Sequence, residues 1–271
     1  MAKTILITGS TDGIGLETAK MLVLQGHRVL LHGRNLTKLK AAEESLSALS
    51  EEGSVESYGA DLSRLATVES LANAVAQNHP TLDVLINNAG VFKTSNPVTP
   101  DGLDVRFVVN AIAPYLLTQR LTPLMSASGR VVNVSSAAQS PVNLDALAGR
   151  VRVSEDFTAY AQSKLALTMW SRNMGLKGDG PVMIAINPGS MLGSKMVKEA
   201  FGVAGGDIRV GAKILTRAAL TDEFAEATGQ YFDNDNGQFA SPHADAFNPQ
   251  KVQSVIDVIE RVLAEIKNTD S

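Results

Sequence analysis

The sequence predicts an α/β fold in which helices cover both faces of a doubly wound parallel sheet. The first observation is a series of short apolar runs rich in Val, Ile and Leu, which is typical of strands buried on both faces. The second is the apolar spacing of an amphipathic helix, which recurs between consecutive runs. The third is that connections are short and include no linker, repeat or low-complexity segment. We therefore expect a single domain over residues 1–271.

Six rounds of strand and helix carry this pattern. The predicted strands are Ile5–Ile7, Val29–Leu31, Val55–Tyr58, Leu82–Ile86, Arg130–Val134 and Val182–Ile186. The predicted helices between them are Gly13–Gln25, Leu36–Leu49, a helix capped by Ser63 that ends at Asn78, Asp101–Met125 with a bend at Pro114, and Thr158–Met174. Beyond Pro188 the rhythm breaks, and we predict helices Met191–Phe201, Asp207–Leu220 and Pro249–Lys267 with a last strand at Gln230–Phe232.

Composition limits the classes of protein to which the chain can belong. Hydrophobic residues make up 44% and charged residues 19%, as in an ordinary globular domain. The net charge of −4 gives no basic surface for nucleic acid, and the absence of cysteine excludes disulfides, thiolate zinc sites and cysteine nucleophiles. The residues before the first strand are too few for a signal peptide, and no apolar stretch has the roughly 18 residues that a membrane span needs. We expect a cytoplasmic enzyme with no metal, nucleic-acid or membrane-spanning requirement.

A glycine-rich turn, Thr8-Gly-Ser-Thr-Asp-Gly-Ile-Gly15, lies between the first strand and the first helix. Gly9 permits a sharp turn, Gly13 lets backbone approach a pyrophosphate, and Gly15 lets the helix pack closely on the sheet. The helix N-terminus would then bind the pyrophosphate through its free N–H groups and its dipole. The turn predicts a dinucleotide site, with a purely structural tight turn as the alternative. Its members are Gly9, Ser10, Thr11, Asp12, Gly13, Ile14 and Gly15.

Arg34 follows the second strand, about twenty residues after Gly15, where a carboxylate would bind the ribose hydroxyls of NAD. Its guanidinium instead offers a fork of donors that suits a 2′-phosphate. We therefore expect NADP(H) to be favoured over NAD(H). The alternative is a solvated surface arginine.

Tyr160 and Lys164 are four residues apart in a predicted helix, so their side chains can face the same cleft. A free phenol ionises near pH ~10, which is too high for efficient proton exchange at neutral pH. A cation held nearby favours the phenolate and lowers its pKa. The pair predicts an acid–base centre, although a half-buried tyrosine and a solvated lysine on one helix would have the same spacing.

Several motifs, taken together, resemble those of the short-chain dehydrogenase/reductase family, and the match runs nearly end to end. Thr8–Gly15 matches the family's Thr-Gly-x-x-x-Gly-x-Gly, and Asn87–Gly90 matches its Asn-Asn-Ala-Gly after the fourth strand. The other matches are Asp61-Leu62, Asn110, Ser135-Ser136, Tyr160 with Lys164, and Asn187-Pro-Gly189. Each motif alone has a structural explanation as a turn former or a strand-end polar group. Their common order implies a Rossmann fold whose strand ends line one crevice.

The resemblance also implies an activity, namely hydride transfer between a nicotinamide and the carbonyl or alcohol group of a small molecule. Tyr160 is expected to exchange the proton, Lys164 to lower the Tyr160 pKa and hold the ribose, and Ser136 to stabilise the oxyanion. Asn110 is expected to connect Lys164 to solvent. Ser136 is preferred over Ser135, because side chains alternate along a strand and the family usually uses the second serine. Further cofactor contacts are expected from Asp61, Leu62, Asn88, Ala89, Gly90, Pro188, Gly189 and Ser190. Residues 1–135 would form the cofactor half and residues 136–271 the catalytic and substrate half.

The chain departs from compact members of the family at two places. Twenty-three residues separate Ser136 from Tyr160, and this insertion, residues 137–159, resembles the retinol-dehydrogenase-like and protochlorophyllide-reductase-like branch. We expect it to form a flap near the substrate, with a surface insertion as the alternative. The family's usual threonine after Pro188-Gly189 is absent, and Ser190 or Ser194 would have to replace it. Apolar residues near these segments predict a lipophilic aldehyde, ketone or alcohol as substrate: Phe92, Leu144, Met191, Leu192 and Phe201.

Two other functions fit parts of the pattern. An NADP(H)-binding regulator without turnover needs only the nucleotide half, so the complete set of Ser136, Tyr160 and Lys164 argues against it. A nucleotide-sugar epimerase or dehydratase normally needs a larger substrate domain than the part of the chain after the sixth strand. Helix Thr158–Met174 is apolar on more than one side, which predicts either a homodimer or homotetramer or a neighbour within the chain.

Overall fold

A computed structural model describes residues 1–178 and 180–269, without the side chains of residues 200, 201 and 269. Within these residues, eight strands form one sheet in the order β3-β2-β1-β4-β5-β6-β7-β8. The strands are β1 (Thr4–Ile7), β2 (Arg28–Gly33), β3 (Ser54–Gly59), β4 (Val84–Asn87), β5 (Arg130–Val134), β6 (Val182–Asn187), β7 (Tyr231–Asp233) and β8 (Gln238–Ala240). Neighbouring strands are parallel except β7 and β8, which are antiparallel.

Helices cover both faces of this sheet. They are α1 (Gly13–Val23), α2 (Leu36–Ser47), α3 (Leu65–Asn78), α4 (Val105–Phe107), α5 (Ala113–Leu121), α6 (Leu144–Leu147), α7 (Asp156–Lys177), α8 (Lys195–Phe201), α9 (Arg209–Leu220) and α10 (Pro249–Thr269). Short 3₁₀ turns occur at Thr122–Leu124, Asp222–Phe224 and Ala244–Phe247. In β1, Ile5 and Ile7 pack with α1, α2 and α9, whereas Leu6 packs with α3, α5, α7 and α10. The predicted doubly wound sheet is confirmed.

Ser63 does not cap α3, contrary to the sequence prediction. The helix begins at Leu65, with Arg64 in the N-cap position and no side-chain capping bond. The backbone N–H and the hydroxyl of Ser63 instead donate to Asp61 Oδ1 at 3.0 and 2.8 Å. Because its hydroxyl donates to Asp61 in a local turn, Ser63 does not serve as the N-cap of α3.

The helix predicted from Asp101 to Met125 begins only at Val105, and a π-helical turn interrupts it just before Pro114. A π-helical segment, Val108–Ile112, lies between α4 and α5, and the N–H of Ala113 donates to the carbonyl of Val108. Pro114 has no N–H and cannot donate to the carbonyl four residues earlier, that of Asn110. The widened turn accommodates the extra residue, as π segments do, often at functional sites.

The second apolar side of α7 is covered by α10 of the same chain. A polar contact also fixes α10 to α5, in which the hydroxyl of Tyr115 donates to Glu260 Oε1 at 2.8 Å. A neighbour within the chain therefore explains the apolar pattern of α7, and a homodimer or homotetramer stays a prediction. Among the helices that the structure describes, none has the length and apolarity required to cross a membrane.

Candidate active site

The predicted site residues converge at the carboxyl edge of the sheet, where β1, β4 and β5 end. The side-chain amide of Asn88, after β4, donates to the carbonyls of Thr8 and Gly9 after β1, at 2.9 and 3.0 Å. Lys164 of α7 donates from Nζ to the carbonyl of Val134, the last residue of β5, at 2.7 Å. The glycine turn, the segment after β4 and Lys164 therefore line one crevice.

Two glycines in the turn have no room for a side chain. Gly9 has φ +65°, and a Cβ added there would lie 2.9 Å from Ala89 Cα. A Cβ on Gly15 would lie 2.4 Å from the Gly9 carbonyl oxygen. The hydroxyl of Thr8, which sequence reasoning treated only as part of a motif, accepts hydrogen bonds from the N–H groups of Asn88 and Ala89 at 3.0 Å each. The turn and the segment after β4 are thus locked into one backbone frame around the N-terminus of α1.

His32 of β2 was missed by the sequence analysis, because a single polar residue in an apolar strand gave no signal. Its Nδ1 accepts from the N–H of Gly9 at 3.1 Å, and its Nε2 lies 3.1 Å from the carbonyl of Ala60. These contacts assign the proton to Nε2 and the lone pair to Nδ1. Ser10 Oγ accepts from the His32 N–H at 2.9 Å. Burial lowers the pKa of His32 to about 4, so the ring is neutral at pH 7.

We expect acid to destabilise the protein through His32. In the unfolded chain a histidine titrates near pH ~6.5, whereas folded His32 does so near pH 4. As the pH falls through this window the unfolded chain gains a proton that the folded chain does not, so stability decreases, by up to about 3 kcal/mol. Urea unfolding at pH 7 and pH 4.5 measures the loss. His32→Asn, which cannot titrate, is the control, and an equal acid loss in that variant would assign the effect to other groups.

The side chain of Ser136 interacts with the phenol of Tyr160. Burial raises the pKa of Tyr160, and the interaction with Ser136 opposes this rise. The carbonyl of Ser136 accepts from the Tyr231 hydroxyl at 3.1 Å, which fixes the backbone at this position. The hydroxyl of Ser135 instead lies 2.7 Å from that of Thr168 in α7. Of the two serines, Ser136 is therefore the one beside the phenol.

Lys164 is buried, and burial lowers the pKa of its amine to about 8. Its Nζ lies 5.6 Å from the centroid of the Tyr160 ring. The expected lowering of the Tyr160 pKa by this cation is not found, because burial of the phenol dominates and the opposing contribution comes from Ser136. The Lys164 ammonium is directed at the Val134 carbonyl. Burial of Lys164 also disfavours its positive charge, which was expected to lower the Tyr160 pKa.

Asn110 lies in the π-helical segment and is fully buried. Its side-chain amide accepts from the N–H of Val91 at 2.7 Å and donates to the carbonyl of the same residue at 2.9 Å. It also donates to Ser163 Oγ at 2.9 Å, and Ser163 donates to the carbonyl of Tyr160 at 2.7 Å. Asn110 thus joins the segment after β4 to the turn of α7 that carries Tyr160. Its expected solvent connection to Lys164 stays a prediction.

Arg34 is exposed directly after β2, close to the glycine turn, since a Cβ on Gly33 would lie 2.5 Å from the Thr11 methyl group. Asp61 follows β3 at the same edge of the sheet, and Leu62 beside it is buried. Arg34 thus places an exposed guanidinium at this edge of the sheet, beside the glycine turn.

The segment after β6 is tied to the loop between β7 and β8. Ser190 donates from its N–H and its hydroxyl to the carboxylate of Asp235, at 2.7 and 2.5 Å, and Asn187 Nδ2 donates to the same carboxylate at 2.8 Å. Burial alone would raise the pKa of Asp235, but the hydrogen bonds from Ser190 and Asn187 hold it below its usual value. Asp235 was not predicted, because its partner lies 45 residues away in sequence.

The apolar residues predicted to contact substrate do not form one cluster in the structure. The ring of Phe92 is 4.8 Å from that of Tyr160, and the exposed ring of Phe157 is 6.3 Å from that of Phe92. Met191 and Leu144 are exposed, and Met191 has φ +54°, a strained value for a non-glycine residue. Leu192 is buried against Gly189 and Gly211, as a core residue would be. The side chain of Phe201 lies outside the described part of the chain.

Comparisons with known proteins show which family the chain resembles. A family model described as short chain dehydrogenase matches residues 3–204. Human retinol dehydrogenase 13 is 29% identical over 263 residues, which cover 90% of this chain and 80% of that protein. Human retinol dehydrogenase 12 is 31% identical over 257 residues, covering 89% and 81% respectively.

Two solved structures have the same fold. An uncharacterized protein from Mycobacterium Paratuberculosis is 28% identical, with a TM-score of 0.79 and coverage of 96% of this chain and 92% of that one. The RhlG/NADP active-site complex from Pseudomonas aeruginosa is 26% identical, with a TM-score of 0.69 and coverage of 88% and 96%. The predicted resemblance to the retinol-dehydrogenase-like branch is confirmed by these matches, and the chain belongs to the short-chain dehydrogenase/reductase family of oxidoreductases.

Proposed function

We propose that the protein transfers a hydride between NADP(H) and a carbonyl or alcohol group of a small lipophilic molecule, with Tyr160 as the acid–base residue. The observation that carries the proposal is that Lys164 Nζ lies 5.6 Å from the centroid of the Tyr160 ring and donates to the Val134 carbonyl at the end of β5, two residues before Ser136. Similarity to two retinol dehydrogenases supports a lipophilic alcohol or aldehyde. Similarity to an NADP complex supports the choice of cofactor.

The crevice fits a dinucleotide. Gly9 and Gly15 let the turn pack against the segment after β4 and against itself more closely than a Cβ would allow, and α1 begins at this turn with its free N–H groups. Lys164 and Gly90 would meet the nicotinamide ribose, and Arg34 the 2′-phosphate. The remaining contacts would come from residues 9–15, 61–62, 88–90 and 188–190. A bound nicotinamide would supply or accept the hydride.

The chain's own residues supply the proton transfer and the environment. Because its pKa is raised, Tyr160 holds its proton at neutral pH and can donate it to a carbonyl oxygen. Ser136 can donate a hydrogen bond to the same oxygen as negative charge develops. Phe92 packs against the Tyr160 ring and limits the access of water to the phenol.

Replacing Arg34 with Ala is expected to weaken NADPH binding about 10- to 100-fold while changing NADH binding little, because a charge-assisted hydrogen bond contributes about 1.5–3 kcal/mol. Fluorescence titration with both cofactors measures the two affinities. Arg28→Ala, an exposed arginine that begins β2, is the matched control. Equal losses for NADPH and NADH would show that Arg34 does not select the phosphate.

The proposal is tested by following NADPH oxidation against a panel of aldehydes and ketones that includes retinal. We expect turnover with one or more lipophilic members of the panel. Tight NADPH binding without oxidation of any member would favour a regulatory protein. Interconversion of nucleotide sugars without net NADPH consumption would favour an epimerase.

A further inference from the structure

Arg106 of α4 carries a guanidinium that is almost completely buried, with 2% side-chain exposure. Its Nε and Nη2 donate to the two carboxylate oxygens of Asp104 at 2.9 and 2.6 Å. Its Nη1 donates to Asp156 Oδ1 at 2.5 Å, and Nη2 also reaches the carbonyl of Val153 at 3.3 Å. One side chain therefore connects α4 to the end of the 137–159 insertion and to the first turn of α7.

A contribution to the stability of the fold does not by itself explain why Arg106 is buried with Asp104 and Asp156. Removing an ionised guanidinium from water is costly, and well-packed apolar side chains often stabilise a fold as well as a buried ion pair does. An arginine–carboxylate pair has a fixed fork geometry, so it also fixes the relative orientation and register of the two elements that it joins. Asp104 binds one edge of the guanidinium through both oxygens, so that Nη1 points at Asp156.

The register of the two helical segments places this cluster one turn from the acid–base residue. Arg106 precedes Asn110 by four residues, and Asp156 precedes Tyr160 by four. The Arg106–Asp156 pair and the Asn110–Ser163 hydrogen bond thus connect the same two segments at two successive levels. Ser163 in turn donates to the carbonyl of Tyr160, so the phenol-bearing turn lies between two cross-links.

We propose that Arg106 is a positioning residue for Tyr160, fixing the first turn of α7 and the end of the insertion against α4 so that the phenol meets Ser136. Its effect on turnover rests on the proposed function. Its effect on the phenol itself does not, because the ionisation of Tyr160 is measurable without substrate or cofactor.

Three variants separate the contributions. Arg106→Met removes the charge and the fork, Arg106→Lys keeps a charge that can reach one carboxylate, and Asp156→Asn weakens the bond to α7 while leaving the pair with Asp104. Arg120→Met is the matched control, because Arg120 makes a similar two-point contact with Glu69 on the surface, at 2.6 and 2.7 Å. For each variant we would measure kcat with a carbonyl substrate from the panel, NADPH affinity by fluorescence, and Tyr160 ionisation by ultraviolet difference against the same variant carrying Tyr160→Phe.

We expect Arg106→Met to lower kcat about 10- to 100-fold, since small displacements of a catalytic group have effects of this size. NADPH affinity should stay within about twofold, and the Tyr160 titration should shift. Arg106→Lys should recover part of kcat, and Arg120→Met should match the parent protein. If Arg106→Met does not fold, Asp156→Asn decides the matter through the same three measurements.

Unchanged kcat and an unchanged Tyr160 titration in Asp156→Asn and Arg106→Lys would overturn the inference. So would a parallel loss of kcat and NADPH affinity, which indicates general damage to the fold. If the parent protein oxidises NADPH with no member of the panel, the proposed function fails, while the Tyr160 titration still decides the role of Arg106.

Discussion

Replacing Tyr160 with Phe is expected to lower turnover about 10²- to 10⁴-fold, the usual contribution of a positioned acid–base group, while NADPH binding is retained. The substitution removes one hydroxyl and keeps the ring that packs at 4.8 Å against Phe92, so the crevice should keep its shape. Stopped-flow or steady-state NADPH oxidation measures turnover, and fluorescence titration measures binding.

Two further variants complete this experiment. Tyr58→Phe removes the hydroxyl of a tyrosine that bonds His79 beside the β3 edge, and it should leave turnover unchanged. Ser136→Ala removes the hydroxyl whose interaction lowers the Tyr160 pKa, so alcohol oxidation, which needs the phenolate, should begin at higher pH than in the parent protein. Full activity of Tyr160→Phe would remove the tyrosine from the mechanism.

Replacing Gly15 with Ala is expected to weaken NADPH binding by roughly 10- to 100-fold and to destabilise the fold, because overpacking costs about 1–3 kcal/mol. The new Cβ would lie 2.4 Å from the Gly9 carbonyl oxygen and 2.5 Å from Asn88 Nδ2. The first of these is backbone that cannot rotate away, so the turn or the N-terminus of α1 must move.

Gly180→Ala is the matched control for this substitution. Its added Cβ would lie 3.8 Å from the Thr122 methyl group, an ordinary van der Waals distance, and remote from the glycine turn. We expect NADPH affinity and the midpoint of thermal unfolding to match those of the parent protein. An unchanged NADPH affinity in Gly15→Ala would contradict a pyrophosphate site at this turn.

Most of the sheet was predictable because its central strands are local runs of apolar residues, but β8 was not predicted. β5 occurs at the predicted residues Arg130–Val134, and the ends of the other predicted strands differ by at most two residues. The π-helical segment was not predictable in this way. Pro114 predicts a disturbance of the helix, whereas the Asn110 side chain in the π-helical segment bonds to Val91, 19 positions away, which no local pattern reveals.

The polar residues that the sequence analysis missed share one property, since each acts on a segment distant in sequence. His32 binds the Gly9 N–H across 23 positions, and Arg106 reaches Asp156 across 50. A charged residue in a helical pattern is ordinarily expected to be exposed to solvent, whereas the side chain of Arg106 is buried. The direction of the Tyr160 pKa was likewise wrong, because spacing on a helix reveals a nearby cation but not the burial of the phenol.

The β7–β8 hairpin binds the crevice on both sides, through Tyr231 to Ser136 and through Asp235 to Ser190. The first of these bonds joins residues 95 positions apart, and the hairpin leaves the ribosome after every other part of the crevice. Domains generally fold as units. The contacts that hold the backbone of Ser136 and of Ser190 therefore form only after the last two strands have been synthesised, late in translation.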